Sequence, residues 1–344
     1  MNTFFIKIGW PLLVLLSLIL PRTAPAADAL YEGADRDQRL IAAAKKEGYL
    51  TVYTTMPAKD GKTITAGFEK KYGVKVTLWR ASSNDVLHRA VTEAAAGRFE
   101  WDILNATAPE MEALHREKLL QPVYSPHFQD LLAGSVAPHK EWAAIYYNVY
   151  VQVYNTSVVK KEELPASYQE LLAPKWKGRL GIEVKSQEWF AAVVKSMGEE
   201  KGLKFFRELV AKNGLSMRSG TSKLHNLVVA GEVPLALTVY SYLPMVAKAD
   251  NAPVDWFVIK EPAIGRANGV GISRKAPHPN AALLFYDYML TDVQEFLGKK
   301  KRVTANKKFA SPLKGVQIKM LDPAAVLDEY DKWTKLYENV LKGN

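Results

Sequence analysis

Between Tyr49 and Leu120 the sequence alternates strand and helix patterns, and that rhythm limits the fold more than any other feature of the chain. Tyr49 to Thr54 (YLTVYT) is β-branched and aromatic, as a strand requires. Lys62 to Lys71 places Ile64, Phe68 and Tyr72 four apart, which predicts a helix ended by Gly73. Val74 to Trp79 alternates as a strand. Asp85 to Ala96 gathers Val86, Leu87, Ala90, Val91 and Ala94 on one helical face, and Gly97 ends it. Trp101 to Asn105 is a further strand. Thr107 to Leu120 reads as a helix because Thr107-x-x-Glu110 is a capping box and Pro109 suits the first turn. A β-α-β-α-β-α order implies a mostly parallel sheet flanked by helices.

The second half also mixes α and β. Tyr146 to Asn155 (YYNVYVQVYN), Leu235 to Tyr240 and Val254 to Ile259 predict strands. Helices are predicted at residues 38–47, 189–195, 203–212, 224–230, 281–289 and 293–297, with one amphipathic helix from about Pro323 to Leu341. No Pro/Gly/Ser-rich linker separates the halves, so ordered strands are expected to carry the chain between two α/β units. Of the 344 residues, 48% are apolar, enough for a real core. The absence of Cys excludes disulfides, thiolate metal sites, iron–sulfur clusters and thiol nucleophiles. The six His include no i, i+4 pair of the helical zinc type. No cofactor is expected.

The opening segment reads as a targeting signal. Lys7 precedes the apolar run Pro11 to Leu20, and Ala24-Pro25-Ala26 has the small-x-small pattern of a cleavage site. Residues 1–26 are therefore expected to be a cleaved signal peptide, giving a soluble, exported protein. The run is short of the ~20 residues that span a bilayer. The formal charge of +10 could suit nucleic acid, yet the basic residues are interspersed with acids apart from Lys299 to Arg302. With no reader motif present, nucleic-acid binding is not expected.

In open α/β sheets, ligands bind beyond the carboxyl ends of strands. The loops there offer Thr54, Thr55, Arg80, Ser82, Ser83, Asn105 and Thr107 in the first unit, and Ser186, Arg218, Ser219, Thr221, Tyr240 and Tyr242 in the second. Tyr147 is added from the long strand. Singly, Ser83, Thr107 and Thr221 also read as plain N-caps. Jointly, hydroxyls, amides and arginines at helix starts read as anion donors, and the Arg218 to Ser222 turn supplies arginine, hydroxyl and free N–H groups together. No loop assembles a nucleophile with its base, so catalysis is not expected.

Several segments resemble periplasmic substrate-binding proteins of ABC importers, in the group that includes the ferric-ion binding proteins. They are LTVYTT…FEKKYGVKV (50–76), the stretch around Trp101 to Leu104, VQVYNTSVV…PKWKGRLG (151–181), VVAGEVPLAL (228–237) and GVGISRKAPHPNAALLFYDYML (269–290), in that order. The resemblance implies an α/β, two-lobed periplasmic-binding-protein fold of type II, each lobe a mixed sheet flanked by helices, with the ligand cleft between them. Lobe 1 would hold residues 27–122 and 255–305, and lobe 2 residues 123–254 and 306–344 with the C-terminal helix. Chain crossings would fall near 105–122, 255–260 and 305. Hinge closure on the ligand and docking of a monomer on permease subunits at the inner membrane would follow.

The resemblance does not fix the ligand. Ferric members use adjacent tyrosines, and that pair falls here on Ser241-Tyr242, so only Tyr242 keeps its phenol. The expected histidine position, near Met56-Pro57, has none. Anion-donor positions of the family remain polar at Ser186 and at Ser219 to Thr221, while an arginine of the family becomes Asn148. The expected ligand is a small organic anion, a phosphonate, phosphate ester or carboxylate. No metal is expected, with Tyr242 as a ligand if iron is the cargo after all. The alternatives are a ferric-iron binder of the same fold, a sensory module that signals to a membrane kinase, and an exported enzyme.

Overall fold

The computed structural model describes residues 32–260 and 262–342. The signal peptide expected over 1–26 lies outside the described residues. Lobe 1 opens with α1 (Arg36–Glu47), β1 (Tyr49–Thr54), α2 (Ala58–Tyr72), β2 (Lys75–Arg80), α3 (Ser83–Ala95), β3 (Ile103–Thr107) and α4 (Ala108–Arg116). Gly48, at φ 71°, ends α1 by donating its N–H to Ala44 O at 2.8 Å, a left-handed position that glycine adopts without strain. β1 pairs in parallel with β2 and with β3, as the alternating pattern requires.

A long strand, β4 (Trp142–Asn155), then runs out of lobe 1 and into lobe 2. Lobe 2 contains β5 (Leu180–Glu183), α5 (Gln187–Met197), α6 (Glu199–Asn213), β6 (Ser216–Arg218), α7 (Thr221–Val229), β7 (Leu235–Tyr240), α8 (Tyr242–Ala249) and β8 (Val254–Phe257). β9 (Ala263–Ile272) returns to lobe 1, where α9 (Pro279–Leu290) and α10 (Asp292–Lys299) complete the core. The chain leaves through β10 (Val303–Thr304) and β11 (Ile318–Met320), and ends in α11 (Pro323–Asp328) and α12 (Tyr330–Leu341).

The strands form one mixed sheet in the order β2-β1-β3-β9-β4-β7-β5-β6, with β10 and β8 beside β4 and β11 beside β9. β9 and β4 are antiparallel and belong to both lobes. Among the described residues, the two largest of four core clusters mark the lobes. One gathers Leu40 to Tyr146 with Ala267 to Ala305, and the other gathers Tyr150 to Ile264 with Trp333, Tyr337 and Val340. The first crossing therefore lies inside β4, later than the expected 105–122. Val123, Leu131, Ala137 and Trp142 are buried in lobe 1, which holds that segment there. The second crossing lies inside β9 and not at 255–260, because Val254 and Ile259 pack in lobe 2.

The C-terminal segment also departs from expectation. The single helix predicted from Pro323 breaks at Glu329, whose φ and ψ are −102° and 7°. α11 lies on α4 of lobe 1, tied by Arg116 Nη1 to Asp328 Oδ1 at 2.5 Å. α12 lies on α5 and α6 of lobe 2, where Phe190 meets Trp333 and Tyr337. Packing on two different bodies sets this break against the amphipathic pattern. Among the described residues, no helix is long and apolar enough to cross a membrane.

Candidate functional site

Cross-strand pairing sets the floor of the cleft. Tyr146 faces Asn268 and Asn148 faces Arg266 across β4 and β9, so their side chains share one face of the crossing ribbon. Tyr150 continues that face and packs on Tyr240 with ring centroids 5.0 Å apart and the planes tilted by 47°. Tyr147 and Ala267 occupy the opposite face. Tyr147 consequently turns from the cleft and shares a hydrogen bond with Ser135 Oγ at 2.6 Å. The strand's alternation assigns Tyr146 and Tyr150 to the cleft in its place.

Two guanidiniums, Arg302 buried and Arg266 partly buried, are set among these phenols. Arg266 Nη1 donates to Glu188 Oε1 at 2.8 Å and Nη2 donates to the Tyr240 hydroxyl, while Nε is buried without a partner. Burial works against the Arg266 charge, but Glu188, Tyr150, Tyr240 and Glu110 outweigh it and keep the guanidinium firmly protonated. Arg302 lies between the rings of Tyr242 and Tyr146, its Cζ 3.9 and 4.4 Å from their centroids. Its nearest carboxylate is Asp60, 3.5 Å away, and its Nε is also buried and unpartnered. Burial pushes the Tyr146 phenol up to about 12 despite Arg302, and raises the Tyr150 and Tyr240 phenols as well.

Beside this floor lies a cavity of about 110 Å³ between the lobes. Ser82, Ser83 and Asn84 enter it from the start of α3, Lys185 and Gln187 from the start of α5, and Arg266 from β9. Two helix N-termini from opposite lobes thus meet a lysine and an arginine, an environment that favours an anion. Glu110 and Glu188 also line it. Burial first, then the Glu188 charge, raises the Glu110 pKa, with Arg266 and the Thr107 hydroxyl opposing it.

The remaining expected residues have other partners. Thr54 donates to Asn105 Oδ1 at 2.9 Å, and Asn105 donates to Asn268 and Gly269, so these groups knit β1, β3 and β9 together. Thr55 accepts from Asn268 at 3.4 Å. Arg80 is exposed and holds Met56 O at 3.2 Å. The Thr107 hydroxyl donates to the Glu110 carboxyl and caps no backbone N–H, so the expected capping box does not form. The anion site read from Arg218, Ser219 and Thr221 is filled by the protein itself. Glu183 accepts from Gly220 N at 3.0 Å, from Lys185 N at 2.8 Å and from Ser186 Oγ at 3.2 Å. Arg218 bends back to Met217 O at 2.8 Å. Those three residues and Ser186 do not line the interlobe cavity.

A family model for bacterial extracellular solute-binding proteins matches residues 63–320. This chain is a member of that family. Extracellular solute-binding proteins are the ligand-capturing components of ABC-type import, not a family of enzymes, and they pass their ligand to permease subunits. The chain is 25% identical over 256 residues to the Fe(3+)-binding periplasmic protein of Serratia marcescens, covering 72% of this chain and 75% of that one. Its fold superposes on iron-bound HitA from Pseudomonas aeruginosa with a TM-score of 0.74 at 22% identity, covering 85% of this chain and 99% of that one. It superposes equally, at 0.74 and 20% identity, on AfuA from Actinobacillus pleuropneumoniae with fructose-6-phosphate bound, covering 86% and 99%. The two-lobed fold is thus that of periplasmic binding proteins.

Arg266, Arg302, Glu110 and Glu188 escape a reading confined to loops at strand ends, whereas Lys185 stands in the loop after β5, where the hydroxyl of Ser186 was read instead. Arg266 sits in mid-strand and Arg302 in a basic run that reads as a solvated face. An arginine within the small and apolar stretch Ala263–Ile272 was the available signal, because a buried charge requires a partner.

Proposed function

We propose that this solute-binding protein is exported to the periplasm under the signal of residues 1–26 and captures a small organic anion there for an ABC permease. The head group is a carboxylate, phosphonate or phosphate ester. One observation carries the reading: Lys185, Arg266 and the starts of α3 and α5 converge from both lobes on one cavity. An anion there would find Arg266 Nε and first-turn N–H groups as donors, and would draw the lobes together by touching both. AfuA, with a sugar phosphate bound, has the same fold.

A second reading, a ferric-iron carrier, is favoured by the Serratia relative and by the cluster of Tyr146, Tyr150, Tyr240 and Tyr242. Electrostatics weigh against bare Fe³⁺. Arg302 and Arg266 already hold these phenols, and a trivalent ion would sit beside two guanidiniums. Buried phenols also resist the deprotonation that iron needs.

Thermal melts against a panel of organic anions test the choice. A binding anion at a hundredfold excess over Kd stabilises by about 2.7 kcal/mol. No shift with any anion, together with a visible tyrosinate–iron band on adding ferric citrate that disappears in Tyr242→Phe, would overturn the anion reading.

A further inference from the structure

The polar cavity is not isolated. A pocket of about 340 Å³ adjoins it and shares Asn84, Glu110 and Tyr330 as common walls. Its other walls are Leu87, His88 and Val91 of α3, Pro109 of α4 and Leu327 of α11. Apart from the exposed His88 these are apolar and partly buried or buried. Leu87 and Val91 are four apart on one face of α3, the helix whose first residues enter the polar cavity. One helix therefore presents its N-terminal donors to the polar space and its apolar side to the adjoining one. The proportions matter too. About 110 Å³ holds a head group of a few heavy atoms, whereas about 340 Å³ is room for a ring or a short alkyl chain. The shared wall is consistent with one molecule crossing it. Tyr330 offers a flat ring with its hydroxyl 3.4 Å from Asn84 Nδ2.

We infer that the solute is an amphiphilic anion, whose charged head lies in the cavity of Lys185 and Arg266 and whose apolar tail lies between Leu87, Val91, Pro109, Leu327 and Tyr330. This rests on the proposed anion site and adds to it the class of molecule carried. It separates the ligand from sugar phosphates, whose hydroxyls would be stranded against Val91 and Leu327 without partners.

Matched pairs that share a head and differ in the tail test it by calorimetry on the full mature protein: methylphosphonate against phenylphosphonate, and acetate against phenylacetate. The phenyl member is expected to bind at least about tenfold tighter, from apolar area removed from water. Lys185→Ala should weaken both members of a pair by a similar factor. Val91→Trp, which fills the apolar pocket, should bring phenylphosphonate to within about threefold of methylphosphonate. The wild-type comparison stands without that variant should Val91→Trp fail to fold. Equal affinities within each pair, with both members binding, overturn the tail pocket and leave the anion site intact. No binding by any member overturns both. A wild-type dimer that becomes monomeric in Val91→Trp would assign the apolar patch to a second copy of the chain and overturn the inference.

Discussion

Removing the carboxylate of Glu188 should damage the protein far more than removing both partners of its ion pair. The Glu188 side chain is 5% exposed and that of Arg266 16%, at a separation of 2.8 Å. At an effective dielectric near 20 the gross attraction is about 6 kcal/mol. Much of it offsets the desolvation of two ions, so the attraction is not the net contribution. In Glu188→Ala, Arg266 keeps its charge and loses its only carboxylate contact within 4 Å among the described residues, with Nε already unpartnered. Breaking one side of such a pair costs about 3–5 kcal/mol. At about 2–4 °C per kcal/mol, the melting temperature should fall by roughly 6–20 °C. The double variant Arg266→Met/Glu188→Leu removes both charges and should recover most of that loss. Organic anions should then restore Glu188→Ala by more than they stabilise the wild type, since the anion takes the vacated place beside Arg266. The assay is a thermal melt of the three proteins with and without phenylphosphonate. A Glu188→Ala midpoint within about 2 °C of wild type, or a double variant no better than the single one, would refute the reasoning.

Two further outcomes concern lobe stability. His278 Nδ1 lies 3.1 Å from Asp102, whose hydrogen bond holds the imidazole above its ordinary pKa despite partial burial. Its contribution is therefore complete below the unfolded value of about 6.5 and lost as pH rises through the folded one. His278→Gln should cost more stability at pH 5.5 than at pH 9 in urea titrations, and a constant cost across that range would contradict the assignment. Gly202→Ala should destabilise although alanine is the better helix former by about 1 kcal/mol, because the new Cβ would stand 2.6 Å from Val194 Cα and 2.7 Å from Val194 O. Forcing α5 and α6 apart costs about 1–3 kcal/mol, readable as a lower melting temperature.

The first lobe was legible because its signals are local. The strand at Tyr49–Thr54 matches the expected bounds, and the helices at Ala58–Tyr72 and Ser83–Ala95 differ by a few residues at their ends. β9 gave no alternation to read, because almost every residue of Ala263–Ile272 is buried and glycines recur along it. α8 was missed since Pro244 falls in its first turn, where a proline marks a helix start as readily as a loop. The Arg218 to Thr221 turn had every mark of an anion site. What the turn could not disclose is the Glu183 carboxylate, brought in by pairing of β5 with β6. The cleft floor was only half legible: Tyr240 and Tyr242 stand at a strand end, but the arginines beside them are delivered by the crossing segments.

The break at Glu329 gives the C-terminus a mechanical consequence. Asp328 is moored to Arg116 in one lobe, while Tyr337 donates to Glu183 O at 2.7 Å in the other. The intervening turn at Glu329 is a short tether outside the crossing strands, and Tyr330, the first residue of α12 beyond it, borders both ligand spaces. Rotation of one body against the other must flex this turn or cast off one mooring. Residues 323–341 are thus a strain gauge for the opening of the mouth, and a dye on α11 would read it.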